Sequence, residues 1–177
     1  MRTLTVPNFL TVLRIIAVPI FIIFFRKNLP VAAVIFFLAI ITDVIDGVVA
    51  RLSKSRSLLG AMLDPLADKL LIDTAFILFA LNNYIPDWVA IVVISRDILL
   101  IIGWILMYII TSNVKVEPSI SGKITNFFES TSVILLLLNA VFMLNYKGEI
   151  EIYMYATVLM CTVSLIDYSI KGIKKFG

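Results

Sequence analysis

Ile98-Leu-Leu-Ile-Ile-Gly-Trp-Ile-Leu-Met-Tyr-Ile-Ile-Thr-Ser-Asn-Val114 runs without a charged side chain. At 1.5 Å of rise per residue, this run of 17 residues approaches the ~20 that cross ~30 Å of hydrocarbon. It is typical of the chain. Of 177 residues 61% are apolar and only 15% charged, and the mean hydropathy is +1.06. A soluble helical bundle of this size could not cover so much apolar surface with so few charges. The fold class predicted is therefore an all-α integral membrane protein, a single domain over residues 1–177.

Six spanning helices are expected, over Asn8–Phe25, Val31–Arg51, Met62–Asn82, Pro86–Thr111, Ile124–Leu144 and Ile150–Ile170. Turn formers separate them: Asn28-Leu29-Pro30, Asn82-Asn83 before Pro86, and Lys147-Gly148. Arg2, Arg51, Lys54, Arg56, Lys115, Lys123, Lys171, Lys174 and Lys175 fall on one side, against Arg26, Lys27 and Lys147 on the other. The positive-inside rule then places both termini in the cytoplasm of a multi-pass cell-membrane protein. The net charge of +3 and pI near 9.0 come from these dispersed residues, so they indicate membrane orientation and no nucleic-acid partner.

There is no histidine and one cysteine, Cys161, read as helix packing or a lipid contact. Zinc sites of the usual kinds and Ser-His or Cys-His nucleophiles are excluded. Chemistry must come from carboxylates, cationic side chains, hydroxyls and bound cations. Eight of the twelve acidic residues lie in or near the expected spans: Asp43, Asp46, Asp64, Asp68, Asp73, Asp97, Glu129 and Asp167. An ionised carboxylate at a helix centre costs about 2.5–3.5 kcal/mol on insertion scales, so a cluster of them needs a compensating cation.

Four of them have helical spacing. At 100° per residue, Asp43, Asp46, Gly47 and Ala50 share an arc of about 100° on the second helix, and Gly60, Asp64 and Asp68 form one stripe at the start of the third. The two helices are antiparallel neighbours joined by a short loop, so their acidic ends meet near the cytoplasmic interface. Carboxylates without Cys or His describe a site for Mg²⁺ or Mn²⁺, with room in the donor set for two ions. The small Gly47 and Ala50 either let helices pack closely or leave space for a flat ligand.

The stretch Asp43-Val-Ile-Asp46-Gly47-Val-Val-Ala50-Arg51, eight further residues, then Gly60-Ala-Met-Leu-Asp64-Pro-Leu-Ala-Asp68 matches D-x2-D-G-x2-A-R-x8-G-x3-D-x3-D at every fixed position. It resembles the signature of the CDP-alcohol phosphotransferases. Pro7-Asn8-Phe-Leu-Thr11-Val-Leu-Arg14, Ser95-Arg96-Asp97 and Pro118-Ser119-Ile-Ser-Gly122-Lys123-Ile-Thr125 are similar, more loosely, to its phosphatidylglycerophosphate synthase and cardiolipin synthase branch.

The resemblance implies roles. Asp43, Asp46 and Asp64 would ligate metal, and Asp68 would serve as general base while also touching a metal. Gly47, Ala50, Arg51, Ser57 and Gly60, with Pro7 and Asn8, would face a CDP-lipid such as CDP-diacylglycerol. Arg96, Lys123 and Arg14 would hold the phosphate of the acceptor, a small phosphorylated alcohol or an anionic lipid. A competing reading pairs Arg96 with Asp97, Asp73 or Glu129, and Lys69 with Asp73 at i, i+4. For Asp73, Glu129 and Asp167 a structural role is expected, and for Lys171, Lys174 and Lys175 a contact with anionic membrane lipids. A homodimer is implied by the resemblance alone.

The expected activity is transfer of a phosphatidyl group to glycerol 3-phosphate with release of CMP. The nearest alternative is a cardiolipin synthase that uses phosphatidylglycerol. A transporter or channel subunit with intramembrane cation sites is the alternative from another class; the metal-plus-base spacing argues against it.

Overall fold

Each apolar run becomes one helix, and no strand is present among the described residues. A computed structural model describes residues 6–53, 58–111 and 119–176, with side chains described except at 6–12, 43–53, 58–68, 104, 107, 108, 110, 111 and 173–176. The helices are α1 Val6–Lys27, α2 Leu29–Ser53, α3 Leu58–Leu81, α4 Asp87–Thr111, α5 Ile120–Phe142 and α6 Lys147–Phe176.

Local chemistry sets the ends. The Asn28 side chain accepts the Val31 N–H at 3.3 Å and its carbonyl accepts the Ala32 N–H at 3.1 Å, so one residue caps α2 directly after α1. At the end of α3, Asn83 takes φ 60°, and the Asn83 and Tyr84 N–H groups bond to the Ala80 and Phe79 carbonyls, both at 2.9 Å. That is a Schellman ending with asparagine in the left-handed position. The Tyr84 ring closes it edge-on against Phe79, with centroids 5.6 Å apart.

Five helices run beyond the expected spans, α1 and α2 by two residues at each end and three others by four or more at one end. Helix α5 starts at Ile120 rather than Ile124, because the Ser119 hydroxyl accepts the Gly122 N–H at 3.1 Å and caps a polar first turn. Helix α6 runs to Phe176 rather than Ile170, since lysines near a helix C-terminus favour its continuation out of the apolar region. Helix α3 begins at Leu58 rather than Met62.

Contacts divide the chain into two compact units. The first comprises Met1–Leu78 and Leu137–Leu144. Here α1 packs on α2: Phe21 and Phe36 are fully buried, with ring centroids 5.7 Å apart. Buried Ala32, Ala33 and Ala39 keep the α2 face narrow enough for close approach.

The second unit comprises Phe79–Leu136 and Asn145–Gly177. Helices α4 and α6 run parallel, shown by contacts of Trp88 with Tyr155 and of Arg96 with Ser164. Helix α5 runs antiparallel to α6, shown by Phe128 on Tyr153 and Thr125 on the Met160 carbonyl. A polar seam runs through the interior of this unit beside apolar residues such as Val93, Val133 and Met154. Thr125, Glu129, Ser132, Thr157 and Ser164 are fully buried, whereas Ile109, Ile152 and Leu159 are exposed. Ser132 and Thr157 hydroxyls meet at 2.8 Å, and each also donates to a carbonyl of its own helix when it is not the donor of that pair. Apolar residues outside and small hydroxyls between helices is the arrangement that lipid favours. Among the described residues, the segments Ile120–Phe142 and Lys147–Gly172 are long and apolar enough to cross a membrane.

Candidate functional site

The backbone is helical through both halves of the acidic motif: Asp43, Asp46, Gly47, Ala50 and Arg51 lie in α2, and Gly60, Asp64 and Asp68 in α3. Their side chains, those of Pro7 and Asn8, and the whole of Ser57 lie outside the described residues. Among the described residues no group of three or more His, Cys, Asp or Glu side chains gathers into a metal site.

A groove runs between α1 and α2, lined by Leu13, Arg14 and Ala17 on one side and Ile35, Leu38, Ala39 and Thr42 on the other, with a volume of about 190 Å³. The Arg14 side chain is buried. The Thr42 hydroxyl donates to the Ala39 carbonyl at 2.8 Å, which satisfies its polar group within the helix. Ile35, Ala39, Thr42 and the position of Asp46 fall within about 60° of arc on α2. The groove therefore follows the helix face that carries the acidic motif.

Arg96 is 1% exposed and lies at the centre of a buried network in the second unit. Its Nη1 donates to Asp97 Oδ1 at 2.5 Å and to Asn126 Oδ1 at 3.3 Å, and lies 3.6 Å from Glu129 Oε1. Its Nη2 donates to Ser164 at 2.8 Å. The ion-pair arrangement weighed for this arginine is thus present, with Asp97 and Glu129 together. Cys161 is fully buried and its Sγ lies 3.5 Å from Glu129 Oε1, so it is a packing residue rather than a lipid contact.

Lys123 is exposed on the first turn of α5, one turn before Asn126. That turn is tied to α6. The Ser119 N–H donates to the Tyr168 hydroxyl at 3.3 Å, and Ser121 Oγ donates to Asp167. The Asp167 carboxylate also accepts from Lys171 at 2.8 Å, which gives it the structural partners expected of it. Lys171 remains more than half exposed, so the pair adds little stability and leaves the ammonium near the surface.

Asn126, Ser164, Ser121 and Tyr168 were not singled out from the sequence. A signal for the seam was there: Gly122, Thr125, Glu129 and Ser132 on α5, and Thr157, Cys161, Ser164 and Tyr168 on α6, recur at alternating three- and four-residue steps.

A chain that is helical throughout its described elements and carries eight motif positions on two successive helices, with no histidine and one cysteine, defines a narrow class. Residues 4–166 match the family model for CDP-alcohol phosphatidyltransferase, and the chain belongs to that family. It is 32% identical over 181 residues to the CDP-diacylglycerol–glycerol-3-phosphate 3-phosphatidyltransferase of Aquifex aeolicus, covering 97% of each chain. It is 31% identical over 172 residues to the Haemophilus influenzae protein of the same name, covering 92% of this chain and 90% of that one. It is also 28% identical over 187 residues to a probable phosphatidylglycerophosphate synthase of Mycobacterium tuberculosis, covering 99% and 85%.

Proposed function

We propose that this enzyme transfers the phosphatidyl group of CDP-diacylglycerol to glycerol 3-phosphate, giving phosphatidylglycerophosphate and CMP. The observation that carries the reading is the complete acidic motif on two helical backbones, in a chain whose near full-length relatives bear the name of that activity.

Asp43, Asp46, Asp64 and Asp68 offer only carboxylate oxygens, a donor set that fits hard divalent cations, Mg²⁺ or Mn²⁺, as a pair. When bound, the cations neutralise charge on the diphosphate. Asp68 accepts the proton of the acceptor hydroxyl, which is otherwise a poor nucleophile at neutral pH. The acceptor oxygen bonds to the lipid-side phosphorus as the bond from that phosphorus to the bridging oxygen breaks, and CMP departs with the electron pair. Gly47, Ala50 and Gly60 leave room for the nucleotide, with Arg51, Ser57, Asn8 and Pro7 around it. Lys123, exposed, meets the acceptor's phosphate, while buried Arg96 and Arg14 serve as fixed charges within their own units. The groove between α1 and α2 takes an acyl chain of the donor.

We place six spans in the membrane with both termini and the motif on the cytoplasmic side. The ends of the second unit support this orientation. Stacked Trp88 and Tyr155, with centroids 5.9 Å apart, form an interfacial aromatic pair, and Lys171 lies roughly 24 Å further along α6.

The test is purified protein with CDP-diacylglycerol and Mg²⁺, offered glycerol 3-phosphate, phosphatidylglycerol, serine or inositol phosphate in turn. CMP release is expected with glycerol 3-phosphate, with phosphatidylglycerophosphate identified by mass, and chelation should abolish it. Cardiolipin from phosphatidylglycerol would reassign the acceptor; no CMP with any alcohol would overturn the reading. Asp68→Asn should keep CDP-lipid binding and lose turnover by about 10²-fold or more, as removal of a general base does.

A further inference from the structure

The first turn of α5 is held by more ties than a helix start needs. Helix ends ordinarily fray, and a capping side chain usually satisfies one of the four free N–H groups and leaves the rest to water. Here Ser119 caps the turn through the Gly122 N–H, at 3.1 Å. Two further ties to this turn come from α6, and a third reaches Thr125 in the turn after it. The Tyr168 hydroxyl accepts the Ser119 N–H at 3.3 Å, Asp167 accepts from Ser121, and the Met160 carbonyl accepts from Thr125 at 3.0 Å. Ser119 and Ser121 hydroxyls also lie 2.6 Å apart, which links the cap to the Asp167 contact.

Gly122 shows how closely the two helices approach. A Cβ at this position would lie 2.8 Å from the Tyr168 hydroxyl oxygen and 3.1 Å from the ring's Cε2. Glycine in a helix costs about 1 kcal/mol relative to alanine, so helix propensity does not call for it here. Contact with Tyr168 does. Of the residues in this turn, Ile120 and Lys123 are the two whose side chains are exposed.

We propose that Tyr168 and Asp167 are positioning residues, which lock the first turn of α5 so that Lys123 is presented to the acceptor's phosphate from a fixed backbone. The inference rests on the acceptor role of Lys123 proposed above. A lysine ammonium rides on a flexible stem, so its affinity for a phosphate depends on how little freedom its anchor loses on binding. Lys171 neutralises Asp167 at 2.8 Å, so the carboxylate can hold Ser121 without setting an unpaired negative charge beside Lys123.

Steady-state kinetics of the full chain, with CDP-diacylglycerol and glycerol 3-phosphate, separate this from a purely structural role. Gly122→Ala should raise the KM for glycerol 3-phosphate about fivefold or more, with kcat and the KM for CDP-diacylglycerol changed by less than about twofold. Tyr168→Phe alone loses the acceptor of the Ser119 N–H and should also raise the acceptor KM selectively, and combined with Gly122→Ala it should add less than its own effect, because the atom nearest the new methyl is gone. Ser121→Ala, which introduces no clash, should raise the acceptor KM in the same selective way if Gly122→Ala fails to fold. Equal changes in both KM values, a change in kcat alone, or additive effects in the double variant would overturn the proposal. Lys123→Gln distinguishes the underlying reading: an unchanged acceptor KM removes the role of Lys123 itself. A raised KM there with no effect of Gly122→Ala or Ser121→Ala removes only the lock.

Discussion

Arg96 shows how far a single residue can be read. Its position in an apolar run requires a partner, and Asp97 and Glu129 are both within reach of sequence reasoning. Ser164 and Asn126 are not, because a neutral side chain carries no charge that asks for a partner and the pattern leaves the rotation of its helix open. The structure gives it both carboxylates, at 2.5 and 3.6 Å, in a site closed to water. Removing one member of such a group strands the others, at a cost of about 3–5 kcal/mol. Arg96→Ala should therefore show a large fall in thermal midpoint or yield in detergent. Arg96→Lys keeps the charge but cannot span Asp97 and Ser164 with one ammonium, and should give an intermediate loss. Thermal unfolding of the two variants beside wild type checks the order; equal stability of all three would remove the anchoring role. The aspartates of the motif are the opposite case. Their helical spacing is legible in the sequence without any neighbour, and the roles proposed for them come from the family signature they match.

At the scale of elements, hydropathy finds the helices and misplaces their ends. The six helices are legible because each falls in a long apolar run of the sequence. The start of α5 is missed because Ser119, Ser121 and Lys123 resemble a loop until the cap and its α6 partners are known. Rotation is the other hidden quantity. Ala39 and Thr42 look like ordinary span residues, yet they line a groove with Ala17 of α1 on the face that continues to Asp46. A phenylalanine at Ala39 would fill much of the 190 Å³ and exclude several methylenes. If an acyl chain lies there, Ala39→Phe should raise the KM for long-chain CDP-diacylglycerol about tenfold, near the cost of losing two buried methylenes. The KM for a short-chain CDP-lipid should stay within about twofold. A matching rise for both donors would place the chain elsewhere.

For the molecule as a whole, the second unit buries a polar seam between its helices and exposes large apolar side chains, unlike a water-soluble protein. Its buried hydroxyls and charges meet each other, while isoleucines and leucines face outward. Burying Thr157 or Ser164 fully would be costly without the partners they have, and the exposed apolar surface would drive aggregation in water. Lipid removes the second difficulty. Orientation then depends on charge: lysines gather at the end of α6 beyond Asp167, and aromatic residues at its start. This predicts which positions a membrane-impermeant maleimide reaches in intact cells. Cys161 is fully buried and serves as a silent background. Cysteines at Asn28 and Tyr146, both exposed and both in connections proposed to face outward, should label from outside. A cysteine at Lys171 should label only after the cells are opened. Labelling of the Lys171 position from outside would invert the topology, and with it the compartment that supplies the acceptor.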